Sequence, residues 1–441
     1  MIVELARKLR RTRRSSFRGF LRLVVATNRC LSVSICAFGL FTAGAASSNS
    51  RWSFDFCGTT PSRAGHIRVY ATNAYSAQLG YGFDFGTAAS FNSNGCFSDK
   101  PFFFSVAVPE GNYRVTAVLG SADHESTTTI KAESRRLMVE NVHTRGGGIT
   151  NCTFTVNVRT PKIDAERQVR LKPRELGPPL VLHWDDKLTI EFNGSHPSLR
   201  SLEITKVEDA ITVYLAGDST VTDQPREPWN SWGQMLPRFF TAEVAVANHA
   251  ESGESMPSFL SARRLEKILS TIKPGDYLFI QFGHNDQKDK RAGAGAFTTY
   301  RTNLIRFIAE TRQRGATPVL ITPMERKSGV ISDTLGDFPA AVREVARDEN
   351  IPLIDLNQMS KTLYRALGEK LGEAFQDGTH HNNYGSYELA RCVVEGIKSA
   401  HLPLAKFLAD VTPFDPEHPD SIATFNIPAS PMTSNDKPEG N

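Results

Sequence analysis

Two textures of hydrophobic patterning divide this chain near residue 208. Between about 51 and 207 the pattern has a period of two. The run 102–108 ends at Pro109-Glu110-Gly111-Asn112, a turn cluster, and 113–119 then alternates apolar with polar. Segments 127–130, 152–158 and 187–192 continue the pattern, and no amphipathic helix of useful length interrupts it. Short strands separated by Gly, Pro and Asn turns predict an antiparallel β-sandwich over 51–207. From Ile211 onward the apolar runs become short and continuous, at 211–216, 244–247, 277–281, 318–322 and 352–355. Such runs suit strands buried on both faces. Helical periods lie between them, at 256–270, 300–313, 339–349, 360–371 and 386–400. Alternating strand and helix predicts a three-layer α/β domain with a parallel sheet over 210–405. Residues 406–441 are rich in Pro and polar groups and read as an irregular tail.

The first 45 residues read differently again. Residues 7–22 are dense in Arg and Lys, 31–41 are apolar, and Ala43-Gly44-Ala45 has the small-x-small form of a signal-peptidase site. The apolar run is shorter than the ~20 residues of a membrane span, so the expectation is a cleaved signal and a secreted or periplasmic protein without a stable membrane anchor. Arg13-Arg14 hints at a twin-arginine signal, but the following Ser-Ser-Phe is off that pattern.

The formal net charge is only +4 over 441 residues, much of it at the N-terminus, which gives no reason to invoke nucleic acid. Of six cysteines, Cys30 and Cys36 would leave with the signal. Cys57, Cys96, Cys152 and Cys392 remain, none with Cys-x-x-Cys spacing, so no structural metal site is expected. Export permits a disulfide, and Cys57 with Cys96, which flank an aromatic-rich region, are the candidate pair, with two buried free thiols as the other reading. Residues 70–85 in that region include Tyr75, Tyr81, Phe83 and Phe85. These rings would line a sugar-stacking surface or, as the more ordinary reading, fill the core.

Candidate chemistry lies at the carboxyl ends of the buried strands, where open α/β sheets carry their sites. The first strand runs into Gly217-Asp218-Ser219-Thr220, which sets Ser219 at the sheet edge. By itself this triplet is as readily a turn with a capping Ser. The second strand precedes Asn248-His249-Ala250-Glu251-Ser252-Gly253, whose Gly253 can offer a bare N–H. The third ends in Phe282-Gly283-His284-Asn285-Asp286, and the Asn285 amide is a donor that can stabilise an oxyanion. Ahead of the last helix stands Asp377-Gly378-Thr379-His380-His381-Asn382-Asn383-Tyr384-Gly385. A carboxylate three residues from an imidazole on one turn can hold its tautomer and steady its charged form. Each block has an ordinary reading as a loop or cap; the combination on one sheet edge is what points to nucleophilic catalysis.

Together these blocks resemble the SGNH (GDSL-like) hydrolases. The longer stretches at 215–223, 232–236, 281–286, 336–343 and 377–385 resemble the rhamnogalacturonan acetylesterase-like branch, and the Thr after Ser219 favours that branch. The resemblance implies Ser219 as nucleophile, His380 as base and Asp377 as its orienting carboxylate. It implies an oxyanion hole of the Ser219 N–H, the Gly253 N–H and the Asn285 side chain, with no cofactor and no metal. It leaves His381 without a catalytic role and gives Asp218 and Asp286 the task of fixing loop geometry. Met324-Glu325-Arg326-Lys327 departs from the paired arginines expected there. The implied activity is removal of acetyl groups from a plant cell-wall polysaccharide, rhamnogalacturonan above all. An acetylxylan esterase or general carboxylesterase on the same scaffold is the rival within the class. A non-catalytic carbohydrate-binding protein is the rival outside it. Polar and charged segments flank the motifs, among them Lys288, Lys290 and Arg291, which would suit an anionic polymer. Trp229 and Trp232 would stack on sugar rings or pack the first helix.

Overall fold

The computed structural model describes residues 50–58, 64–409 and 412–439. The expected signal segment, with Cys30 and Cys36, lies outside the described residues. The chain from Asn49 to Asn441 forms one compact unit.

The N-terminal half contains two five-stranded sheets. One is ordered Thr150–Val158, Gly111–Leu119, Ser201–Val207, Arg51–Asp55, Ile67–Arg68, antiparallel except for its last pair. The other is antiparallel throughout, ordered Tyr81–Asp84, Phe102–Ala107, Lys187–Ser195, Ser126–Ala132, Arg136–Thr144. Alternate side chains of both sheets enter one core: Tyr113, Val115 and Ala117 from the first, Phe102, Phe104, Ile190 and Phe192 from the second. Phe83 belongs to this core, while Tyr70 stands 59% and Phe85 39% exposed, so the 70–85 aromatics divide between packing and surface.

The second half is built on a parallel sheet ordered Val244–Asn248, Ile211–Gly217, Tyr277–Gln281, Thr317–Ile321, Leu353–Ile354. Side chains alternate across a strand, and here the two faces feed separate cores. Val213, Leu215, Phe279 and Val319 pack with residues of helices Leu356–Leu367 and Asn383–Ser399. Tyr214, Ala216, Leu278 and Leu320 pack with helices Arg264–Thr271, Arg301–Gln313 and Phe338–Asp348. Helices therefore cover both faces, and every strand reads as a continuous apolar run. Among the described residues no helix is long and apolar enough to cross a membrane.

The structure corrects two expectations. The helical period at 256–270 is broken into Met256–Ser261 and Arg264–Thr271, because Arg263 turns left-handed at φ 62°. Cys57 and Cys96 are separate thiols, not a disulfide. Cys96 points into the core, 1% exposed, whereas the Cys57 sulfur lies 4.0 Å from the Arg200 carbonyl.

The two halves are locked through buried charge. Arg136, 1% exposed, donates to the carbonyls of Val246 (3.0 Å) and Asn157 (2.9 Å), and its Nε stands 3.2 Å from Asp223 Oδ2. Removing one partner of a buried pair strands the other charge. Arg136→Met is therefore expected to destabilise the protein by about 3–5 kcal/mol. Adding Asp223→Asn should recover much of that loss, as urea unfolding of the single and double variants will show. A single-variant loss below about 1 kcal/mol, the range of surface pairs, would refute the account.

Candidate active site

The strand Ile211–Gly217 delivers Ser219 at its carboxyl end, and a tight turn follows. The Asp218 carbonyl accepts from the Val221 and Thr222 N–H groups, each at 3.1 Å. The Asp218 carboxylate accepts from the Thr220 N–H (2.9 Å) and hydroxyl (2.7 Å) and lies 3.3 Å from His284 Nδ1. Burial alone would raise its pKa; the His284 ring and the Thr220 donors outweigh that and hold it below the ordinary carboxylate value. Gln224 Nε2 donates to the Ser219 carbonyl at 2.7 Å. The nucleophile candidate is thus fixed on both sides by its own loop.

Asp377 and His380 share one turn before the helix Asn383–Ser399. Asp377 Oδ1 accepts from the Thr379 N–H (2.6 Å) and the His380 N–H (2.7 Å), and Oδ2 lies 2.9 Å from His380 Nδ1. Burial pushes this carboxyl up, but the His380 ring bond and the two N–H bonds overcome it, so its pKa falls well below the usual carboxylate range. Asp377 is held in its charged form and accepts a hydrogen bond from His380 Nδ1–H. That leaves His380 Nε2 as an acceptor, 2.8 Å from Ser219 Oγ. Trp229 stands edge-on to the His380 ring at 5.9 Å and donates its indole N–H to the Ser434 carbonyl. Trp232, 1% exposed, donates to Gln281 and belongs to the core.

His381 faces away, bonded to the Tyr364 hydroxyl at 3.0 Å and packed on Phe375. Burial first, then repulsion from His380, lowers its pKa to about 3. Gly385 is required close by: a Cβ there would stand 2.3 Å from the Ala374 carbonyl oxygen.

The remaining candidates come from the loops after the second and third parallel strands. Gly253 has φ +79°, a conformation that favours glycine. Asn285 Nδ2 donates to the Glu254 carbonyl at 3.0 Å, and Lys288 Nζ donates to Asn285 Oδ1 at 3.0 Å. A side-chain amide has two N–H bonds, so one is left for a ligand. Lys290 and Arg291 lie on the surface, the latter tied to Asp289. Arg326, in the segment that departs from paired arginines, has a role that sequence reasoning missed. It donates to Thr379 Oγ1 (3.2 Å) and to the His284 carbonyl (3.3 Å), and so ties two of the site's loops together. A cavity of about 480 Å³ is lined by Gln224, Trp229 and Ser252, with Arg174, Arg226 and Lys437 set against Glu251, Asp436 and Glu439; none of Ser219, Asp377 and His380 lines it. Among the described residues no group of three His, Cys, Asp or Glu side chains is arranged to hold a metal ion.

Comparison with known proteins bears on this geometry. The sequence model of the GDSL-like lipase/acylhydrolase family matches residues 215–387. The rhamnogalacturonan acetylesterase RhgT of Bacillus subtilis is 38% identical over 220 residues, 45% of this chain and 94% of its own length. The uncharacterized esterase YxiM of the same organism is 28% identical over 376 residues, 79% of this chain and 90% of its own. The crystal structure of YxiM superposes with a TM-score of 0.44 at 26% identity, covering 80% of this chain and 99% of that one. The protein is a serine esterase. It belongs to the GDSL-like lipase/acylhydrolase family, that is, the SGNH hydrolases, in the branch that contains RhgT.

Asp286, next to Asn285, supplies a test of the site's electrostatics. It accepts the Met256 N–H, at the start of the helix Met256–Ser261, at 2.9 Å. Burial pushes its pKa up to about 7; the Met256 bond opposes this and the Asp218 charge adds to it. The unfolded carboxyl titrates near 3.9. Between these values the unfolded chain sheds a proton that the folded chain keeps, so Asp286 lowers stability as pH rises from about 4 to about 7. Asp286→Asn keeps the acceptor and removes the titration. Its urea midpoint relative to wild type should therefore rise between pH 5 and pH 8. An offset that is the same at both pH values would refute the assignment.

Proposed function

We propose that the enzyme is an exported carbohydrate esterase that removes acetyl groups from an acetylated plant cell-wall polysaccharide, rhamnogalacturonan in particular, through an acyl-enzyme on Ser219. The observation that carries this reading is the unbroken chain from Asp377 through His380 Nδ1 and Nε2 to Ser219 Oγ, with steps of 2.9 and 2.8 Å. His380 Nε2 takes the hydroxyl proton as Ser219 Oγ bonds to the acetyl carbonyl carbon. Asp377 stabilises the imidazolium that results. The carbonyl oxygen becomes an oxyanion facing the Ser219 N–H, the Gly253 N–H and the spare hydrogen of the Asn285 amide. Collapse expels the sugar oxygen, which takes the proton from His380. A water that gives its proton to the same nitrogen then releases acetate. None of these steps calls on a metal or cofactor.

The substrate rests on the relatives. RhgT, similar along nearly its whole length, is named for rhamnogalacturonan acetyl esters. A second Bacillus subtilis relative, 37% identical over 207 residues, carries the name probable rhamnogalacturonan acetylesterase YesY. The cavity wall carries Arg174, Arg226 and Lys437 together with Glu251, Asp436 and Glu439, a charged lining that suits a hydroxyl-rich polymer better than a long acyl chain. We read residues 51–207 as a β-sandwich that accompanies the hydrolase domain of 210–405, and 1–45 as an export signal.

Two measurements check this reading. Ser219→Ala, His380→Ala and the double variant should fall to similar low rates on 4-nitrophenyl acetate, because residues acting as one unit are not additive. Substantial activity in Ser219→Ala would remove the nucleophile assignment, and a wild type without activity would leave carbohydrate binding as the alternative. In a substrate panel read by kcat/KM, acetylated pectin should rank above acetylated xylan, and acetyl esters far above octanoyl esters. Preference for xylan would overturn the pectin assignment alone, and preference for octanoate the polysaccharide assignment as a whole.

A further inference from the structure

The loop that carries Gly253 is gripped from outside the segment shared with the family. The Ser252 carbonyl and the Gly253 N–H belong to one peptide unit. That carbonyl accepts two charged donors, Lys172 Nζ at 2.6 Å and Arg174 Nη2 at 2.9 Å. Lys172 precedes and Arg174 belongs to the turn Pro173–Leu176 in the N-terminal half, well before residues 215–387. The turn is firmly anchored. Glu175, 1% exposed, accepts the Lys172 backbone N–H (2.8 Å), the Trp184 indole N–H (2.9 Å) and the buried Arg264 guanidinium (2.6 Å). Lys172 Nζ also lies 2.9 Å from Glu254 and 3.7 Å from Glu439. Arg174 pairs with Glu251 at 2.5 Å and Glu439 at 2.7 Å.

A peptide unit is conjugated, so a positive charge drawn to its oxygen makes its N–H a stronger donor. The same arrangement occurs in neutral form at the other backbone donor. The Ser219 N–H shares a peptide with the Asp218 carbonyl, which accepts two bonds from backbone N–H groups. At Gly253 the two bonds come from cations instead. A conformational reason adds to the electrostatic one. Gly253 has no Cβ to oppose rotation of the peptide that precedes it, and its φ of +79° lies where glycine moves freely. A flip would turn the N–H out of the site at little steric cost. With two charged donors on the carbonyl, the flip would break both bonds.

We infer that Lys172 and Arg174 are positioning residues for the oxyanion hole: the N-terminal half holds and polarises the Ser252–Gly253 peptide so that its N–H faces the developing charge. The inference rests on the acyl-transfer reading above and adds the supply of one donor by a part of the chain remote from the motifs.

The test uses the full chain with Lys172→Met, Arg174→Gln, the pair, and Arg174→Lys. On 4-nitrophenyl acetate each of the first two should lower kcat about tenfold. The pair should approach the loss of about 10²–10³ that follows removal of a whole oxyanion donor. KM should stay within about twofold of wild type, and Arg174→Lys should regain most of the rate. The second readout is a phenylboronic acid, which forms an anionic tetrahedral adduct on a nucleophilic serine. Its inhibition constant should rise by the factor by which kcat falls, while inhibition by acetate stays unchanged. A purely structural role would not give that match. Thermal unfolding reports whether each variant is folded; if the pair is not, the comparison of Arg174→Gln with Arg174→Lys decides. Full kcat in a folded pair, a loss confined to KM, or a fall in kcat without weaker boronate binding would each overturn the inference. Ser219→Ala in the same assay separates the two claims. If it is inactive while the pair is fully active, only the present inference fails. If it stays active, the acyl-enzyme reading fails first.

Discussion

Lys131, Arg135 and Arg136 sit at the turn between two strands of the N-terminal half, each 3% exposed or less, and a buried cation must have a partner. Their carboxylates lie on the loop that follows Ser219. Arg136 stands against Asp223, and Arg135 lies 2.5 Å from Glu227 while donating to the Gln224 and Trp229 carbonyls. Glu227 reaches further. It accepts from the Ser430 N–H of the tail (2.9 Å) and from Asn383 at the start of the last helix (3.2 Å). Burial would raise the Glu227 pKa, but Arg135 and Lys131 more than offset it and keep the group ionised. One set of charges thus joins the N-terminal sheets, the nucleophile loop, the last helix and the tail. Glu227 gains its full set of partners only when all four are in place.

The candidate site divides in the same way between local and distant supply. Asp377 and His380 meet within a single turn, which backbone N–H groups close onto the carboxylate. Ser219 arrives from the far end of the sequence order, on the carboxyl end of the strand Ile211–Gly217. Between them Arg326 ties the Asp377 turn to the His284 loop. The histidine pair shows how position alone separates two identical side chains. His380 borders Ser219 and an ionised carboxylate, whereas His381 is sealed between Tyr364 and Phe375, where a proton would be poorly solvated.

What the sequence made legible follows from the range of each interaction. The parallel strands were readable because burial on both faces leaves the runs mostly apolar, and all five lie within a residue or two of the expected bounds. The meeting of Ser219, Asp377 and His380 was readable because each motif is contiguous and ends a strand or precedes a helix. The strand Arg136–Thr144 was not, since Arg136, Glu140 and His143 break the alternation, and Arg136 is buried only by virtue of a partner from the other half. The break at Arg263 was equally hidden, as an arginine carries no signal for a left-handed turn. Nothing in the sequence singles out Lys172 and Arg174. Their significance depends on a carbonyl about eighty residues away in the chain, and no periodicity or spacing encodes that contact.

The route of the tail has a consequence for how such an enzyme can be altered by recombination. Residues 428–434 do not simply trail from the last helix. Pro428 and Ser430 accept the Lys131 ammonium, Ala429 accepts from Asn193, and Glu227 and Ser434 are bonded through their backbones. The polypeptide begins its described course in the N-terminal sheets, builds the hydrolase half, and returns to close against the sheets where it started. A cassette cut at the visible change of texture near residue 208 would carry the whole set of motifs and still leave its acidic loop facing solvent with no cation to meet it. The unit of inheritance for this architecture is therefore the full circuit, and exchange of halves among relatives succeeds only where the interior charges on both sides of the seam are exchanged together.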